Sequence, residues 1–434
     1  MKKAIAFILM AILVLSMLAG CGTKTAGTAG GAEKSPEGYN GEITMWTWYS
    51  DWLKQWVGEF NKAYPNIKVK IVEYSYDDYF SKLRTALSGG GGAPDVIELE
   101  DGQIAWLVAS GKLEDLSKAP YNAEKSLFVD YEVPSFINDK GEFVALPEGC
   151  GPAGIWYNRT VVKEYLGTDD PAEVSKIIGS GEPGYDKFIA AMKQIVDKSG
   201  GKVKGVQTLA EVYKMMKGQK GKGYFDGNKI VFEELFKEDF KVIERIAKEG
   251  LSAKLGDSST EPWLAAFKND SVAFFPGACW YRGYYIAVDD ENKGKWGFVV
   301  PPVSGFDSGS QGTGIWKDSK KKELAWQWLK WFNMSEEGQI AQWNVGAVPP
   351  VLKSAYNNPK LQEVDPVTNQ KLGEVFFDIT KTAPQVIRTK DDSAVSDQVD
   401  TVMISMEEGK LTAEEALKTV VDEALKRLKD FSRP

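Results

Sequence analysis

The sequence predicts an α/β protein with mainly parallel sheets flanked by helices. Three observations carry this prediction. Hydrophobic periodicity switches repeatedly between two and about 3.6 residues along the first quarter of the chain, the pattern of strands alternating with helices. The chain has 434 residues, a length for two domains. It is 43% hydrophobic and 26% charged, enough apolar side chains for a sizeable core.

The elements follow in order. Gly41-Glu42-Ile43-Thr44-Met45-Trp46 alternates and reads as a first strand. Asp51 to Ala63 carries Trp52, Leu53, Trp56, Val57 and Phe60 at helical spacing, and Pro65 stops it. Ile67, Val69 and Ile71 mark a second strand, and Phe80, Leu83 and Leu87 a second helix. Pro94-Asp95-Val96-Ile97 opens a third strand, followed by a short helix over 103–110 that Gly111 ends. Two further strands are expected at Glu142–Pro147 and Gly154–Tyr157. Residues 185–198 form an amphipathic helix, whereas the Lys/Gly-rich stretch 198–229 reads as surface. Helices over 237–251 and 263–268, strands at 271–275 and 296–300, and a helix over 321–332 follow. The last helix, 411–428, opens on Thr412-Ala413-Glu414-Glu415, a capping box.

Ahead of the first strand, Lys2 and Lys3 precede an apolar run from Ala4 to Leu18. The run is shorter than the roughly 20 residues that span a bilayer, so residues 1–20 read as an export signal. Leu18-Ala19-Gly20-Cys21 resembles the bacterial lipobox, which implies cleavage before Cys21 and lipidation there, palmitate included. Residues 21–40 hold almost no core-forming side chain and read as a flexible tether. The expected location is the outer face of the cell membrane, with the bilayer a partner through Cys21.

Composition excludes several functions. Net charge is −8, without a Lys/Arg cluster, which argues against nucleic acid. Histidine is absent, so Ser-His-Asp catalysis and His-ligated metals are excluded, and no metal or cofactor is expected. Paired carboxylates could still catalyse. Besides Cys21 the chain has Cys150 and Cys279, either one disulfide or two buried thiols. Of 14 Trp, 17 Tyr and 20 Phe many must be core, and a surplus beyond core needs suggests aromatic platforms for a ligand.

Several segments, in order, resemble one family: the extracellular solute-binding proteins of ATP-driven sugar importers, the group that includes maltose-binding protein. The segments are Ile43–Trp46, Pro94–Ile97 with Ala109–Leu116, Leu146-Pro147 with Ile155–Arg159, Ala266–Ala273 with Gly277–Trp280, Gly297–Pro302, Ser319–Phe332 and Gly346–Pro349. The resemblance implies a two-lobed periplasmic-binding-protein-like fold, with the ligand in a cleft between lobes and closure by hinge bending. The expected lobes are 41–148 plus 299–344, and 149–298 plus 345–434. It also implies capture of a carbohydrate, an oligosaccharide, by a monomer that delivers it to membrane permease subunits. No catalysis is implied. An exported glycoside hydrolase with two carboxylates and a ligand sensor for a membrane receptor are the alternatives.

Ligands of open parallel sheets sit beyond the carboxyl ends of strands. Loops there supply aromatic faces for sugar C–H surfaces and charged or amide groups for hydroxyls. The candidates are Trp46, Trp48, Tyr49, Glu100, Asp101, Gln103, Trp280, Arg282 and Trp343. Trp46 reads equally as core. Glu100 and Asp101 are also placed to cap the helix that follows. Trp280 matches the family's stacking position. Trp52 and Trp56 lie on the apolar stripe of their helix and read as core, and Asp95 reads as a backbone-turning residue.

Overall fold

The structure, a computed structural model, describes residues 34–89, 91–256, 258, 260–384 and 388–434. The expected signal segment, Cys21 and the expected tether up to residue 33 lie outside the described residues. The end of the expected tether is packed rather than free. Tyr39 is buried with its ring 6.2 Å from that of Tyr64, and Asn66 Nδ2 donates to the Glu37 carbonyl at 2.9 Å.

Among the described residues ten strands form: β1 (Gly41–Thr47), β2 (Ile67–Glu73), β3 (Val96–Glu100), β4 (Leu146–Asn158), β5 (Lys204–Val206), β6 (Phe225–Asp226), β7 (Lys229–Ile230), β8 (Val272–Ala278), β9 (Trp296–Val299) and β10 (Phe306–Ile315). β6 and β7 make a small hairpin; the rest share one sheet in the order β2-β1-β3-β10-β4-β8-β5, with β9 also on β4. The sheet is mixed. β1 runs parallel to β2 and β3, and β5 parallel to β8, because helices connect them. β10 is antiparallel to both β3 and β4, and β4 is antiparallel to β8 and β9.

Two lobes share this sheet. The first core gathers Ile43, Met45, Leu53, Phe60, Leu99, Leu146, Trp328 and Ile315. The second lobe has a core on each face of its sheet, because successive strand residues point opposite ways. Tyr157 and Phe274 pack on one side with the helices Asp186–Lys198 and Phe232–Lys248; Trp156 and Phe275 pack on the other with Trp263, Trp296 and Phe376. On β4 the chain changes lobe between Cys150 and Ala153, and on β10 between Phe306 and Ile315. The return crossing is therefore β10, later than the 298/299 border the resemblance implied. The last border is also later. Val351 sits in the first core, its carbonyl accepting from Val129 N–H at 2.9 Å.

Two local readings change, and the open alternative for the cysteines is decided. The two strands expected at 142–147 and 154–157 are one 13-residue strand, β4, buried throughout. Its glycines mark close approach rather than a turn: a Cβ on Gly151 would lie 2.6 Å from the Gly309 carbonyl oxygen. The stretch 198–229 is not surface but supplies β5 and the helix Leu209–Lys220, which buries Leu209, Val212, Tyr213, Met215 and Met216. Cys150 and Cys279 are free thiols. Cys279 Sγ is directed at the Cys150 carbonyl (3.7 Å), whereas Cys150 Sγ faces the Pro349 carbonyl (3.8 Å).

Two local readings hold. Asp95 turns the backbone, accepting from Thr44 N–H at 2.8 Å and from Ser319 Oγ at 2.6 Å. It thereby joins β1, the start of β3 and the loop leading to the Lys322–Met334 helix. The capping box at Thr412 and Glu415 is present, with both reciprocal hydrogen bonds.

Candidate functional site

β1 and β3 end side by side, which brings the Trp48-Tyr49 loop and the Glu100-Asp101 corner to one edge of the first lobe. The second lobe presents its 279–286 segment, the Leu209–Lys220 helix and Arg388 to that edge. The crossing strands form the floor between them. Gly151 on β4 and Gly309 on β10 let side chains of both lobes reach it. A Cβ on Gly151 would lie 2.7 Å from Trp280 Cζ3, and one on Gly309 would lie 2.9 Å from Asp101 Cβ. Gly309 has φ +133°, a conformation that other residues rarely adopt. The Trp280 ring and the Asp101 carboxylate thus converge on two adjacent glycines, one from each lobe.

The lobes also touch beside this floor. Arg388 forms an ion pair with Asp101, their side chains 27% and 15% exposed. Trp52 meets Tyr284 with ring centroids 4.8 Å apart. Gly283 makes the second contact feasible, since a Cβ there would stand 2.7 Å from Trp52 Cζ2.

Buried carboxyls line the strands below. Glu98 on β3 and Glu148 on β4 are each 2% exposed. Burial raises the Glu148 carboxyl to about 8. Burial, and then the charge of Glu148, raises Glu98 well above the ordinary range. Tyr49 and Tyr79 face this pair and are themselves raised by burial. Further along the crossing strands, burial lifts Asp307 to about 6, although the Gly309 N–H donates to it at 3.2 Å. Glu132 is raised by burial and then by the Asp307 charge.

The structure sorts the nine expected cleft residues. Trp48 stands half-buried at the edge, its ring within 5.5 Å of Tyr49, Tyr76, Tyr79 and Phe80. Tyr49 is 7% exposed and turned inward toward Glu98. Glu100 has both expected attributes: it caps the Asp101–Ala109 helix through Gly102 N–H (3.2 Å) and accepts from Tyr76 OH (2.6 Å) at the edge. Asp101 and Trp280 reach the floor.

The other four lie elsewhere. Trp46 is core, 8% exposed and edge-on to Tyr74, because both faces of β1 are covered there. Gln103 is turned away and accepts from Arg84 Nη2 at 2.6 Å. Two helical residues past Asp101 is about 200° around the axis, so the two side chains cannot share a face. Arg282 is committed to Asp365, with Nε at 3.0 Å and Nη2 at 2.6 Å from one carboxylate oxygen. Trp343 packs in the seam between the Glu336–Gly346 and Leu372–Thr382 helices, 6.2 Å from the Phe376 ring.

Sequence reasoning missed Arg388, Trp52 and Tyr284. Arg388 lies in a polar stretch with no pattern around it. The helical stripe placed Trp52 in the core, although its ring extends past the helix end to the other lobe. Tyr284 had a readable signal in the aromatic spacing of Trp280, Tyr281, Tyr284 and Tyr285.

Residues 46–339 match the bacterial extracellular solute-binding protein family. The chain belongs to this family. Among its relatives, the arabinooligosaccharide-binding protein of Bacillus subtilis (strain 168) is 23% identical over 390 residues, covering 85% of this chain and 84% of the relative. The arabinooligosaccharide-binding protein of Halalkalibacterium halodurans is 25% identical over 365 residues, covering 78% and 77%. The GacH receptor of Streptomyces glaucescens, solved unliganded and with acarbose, superimposes with a TM-score of 0.75 at 20% identity, over 91% of this chain and all of its own. The GacH receptor shares the fold of the solute-binding protein described here.

Proposed function

We propose that this solute-binding protein captures an oligosaccharide between its lobes and delivers it to the permease of an ATP-driven importer. One observation carries the reading. A half-buried Trp280 ring and the Asp101 carboxylate meet on a glycine floor from opposite lobes. A sugar ring offers an apolar C–H face to the indole and hydroxyls to the carboxylate, so one ligand uses both. Trp48, Tyr49 and Glu100 extend this wall in the first lobe. The arabinooligosaccharide-binding relatives support this solute class. No bond is made or broken in this scheme, and the protein acts as a monomer.

The protein works at the outer face of the membrane, held by lipid on Cys21. The tether keeps captured solute near the permease by effective concentration rather than affinity. One acyl chain holds a membrane only marginally, so Cys21 carries more than one.

Calorimetry and tryptophan fluorescence against arabino-, malto- and galacto-oligosaccharides test the solute class. The expected result is reversible binding of one class, with a fluorescence change and no new reducing ends. Silence across the panel would defeat the proposal. Replacing Cys21 with Ser should abolish lipid labelling and membrane retention.

A further inference from the structure

The ion pair between Arg388 and Asp101 joins the two lobes directly. Its surroundings are built for it. Asp101 occupies the first turn of its helix, where the helix dipole favours an anion, and its Cβ is seated against Gly309 of the crossing strand. Glu100 stands next to it, so the first lobe offers two carboxylates at one corner. Arg388 faces Asp101, Glu100 and Tyr76 across the gap, and Asp392 within its own lobe. The nearby cation of the second lobe, Lys214, is already held by Glu211 at 2.7 Å.

We infer that Arg388 is an electrostatic latch that draws the lobes together before solute arrives and so sets how tightly solute is kept. Opening the cleft separates Arg388 from both carboxylates at once. Because the pair is mostly covered, water and salt compensate less than at an exposed pair. A latch of this kind raises the fraction of molecules already closed. Apparent affinity then rises by the same factor, and the gain falls mainly on the dissociation rate.

This inference rests on the cleft being the solute site, yet its first test uses no solute. Spin labels at Lys68→Cys and Lys237→Cys, exposed positions on opposite lobes, report the interlobe distance by pulsed electron resonance. Cys150 and Cys279 are buried and stay unlabelled. Without sugar, the wild type should show a short-distance population that Arg388→Gln depletes. Exchanging the charges, Arg388→Asp with Asp101→Arg, should restore it. A distance distribution unmoved by Arg388→Gln overturns the latch.

The second arm measures affinity for whichever oligosaccharide binds. Arg388→Gln should weaken it about tenfold, mainly through faster dissociation. Asp101 also serves the proposed sugar site, so its coupling to Arg388 is read without sugar: Asp101→Asn added to Arg388→Gln should deplete the short-distance population little further than Arg388→Gln alone. Equal affinities of wild type and Arg388→Gln, or additive losses of the short-distance population, count against the latch. Distances that shift while no sugar binds would leave the latch standing and remove the sugar proposal.

Discussion

Replacing Glu148 with Gln should make the protein more stable in mild alkali, because the native chain buries that carboxyl. Glu148 is 2% exposed, and burial raises it from the ordinary 4.5 to about 8. A carboxyl raised in the folded state stays protonated there while the unfolded chain has already released its proton. The unfolded state therefore gains as pH rises from about 4.5 to about 8, and folding stability falls through that window. Each unit is worth about 1.4 kcal/mol, so the full span approaches ~5 kcal/mol, an upper bound because water penetration and relaxation lower it. Glutamine is neutral throughout and removes this loss. Urea unfolding of the sugar-free protein at pH 5, 6.5 and 8 measures it. Wild type and Glu148→Gln should match near pH 5 and diverge by pH 8, with the variant ahead by about 2–5 kcal/mol. Some slope should remain in the variant, since burial also raises Glu98, Glu132 and Asp307. A variant that follows the wild-type slope, or is weaker than wild type at pH 8, would refute the argument.

Three further outcomes are expected. Trp280→Ala should lower oligosaccharide affinity about 10- to 100-fold, read by calorimetry, by removing the aromatic face above the floor. Gly151→Ala should cost about 1–3 kcal/mol in thermal or urea unfolding, because its Cβ would press on the Gly309 carbonyl at 2.6 Å and the Trp280 ring at 2.7 Å. Asp95→Ala should cost about 1–3 kcal/mol, leaving the Thr44 amide and Ser319 hydroxyl without their acceptor, and should leave solute affinity unchanged.

Some elements are decided locally, by one stripe or one cap. The helix Ser50–Ala63 buries Leu53, Trp56 and Phe60 at helical spacing, and Thr412 caps the last helix by accepting from the Glu415 N–H three residues on. The Glu336–Gly346 helix shows the opposite case. It buries Gln339 and Gln342 through hydrogen bonds rather than apolar contact. Gln339 donates to the Glu148 and Phe332 carbonyls at 3.2 Å each and accepts from Val351 N–H at 2.7 Å. No hydrophobic stripe announces a helix held that way. β10 is a third case: Phe306-Asp307-Ser308-Gly309-Ser310-Gln311-Gly312-Thr313-Gly314-Ile315 has the composition of a loop, yet it is a central strand. Its glycines serve neighbours far along the chain, as where Gly312 lies against the Phe136 ring and the Leu146 carbonyl.

The candidate site divides along the same line. The sequence by itself determined the α/β alternation, the exclusion of histidine chemistry and the loops that hold Trp48, Glu100, Asp101 and Trp280. Each follows from composition, local periodicity or short motifs. Only the tertiary structure decided which of those side chains meet. It turned Gln103 and Arg282 to other partners, sank Trp46 into the core, and brought Arg388, Trp52 and Tyr284 to the gap between the lobes. The physical reason is that the cleft lies where two crossing strands join segments distant in the chain. Which residue faces which depends on strand register, helix rotation and glycine-permitted approach, and none of these is encoded within a single stretch of sequence.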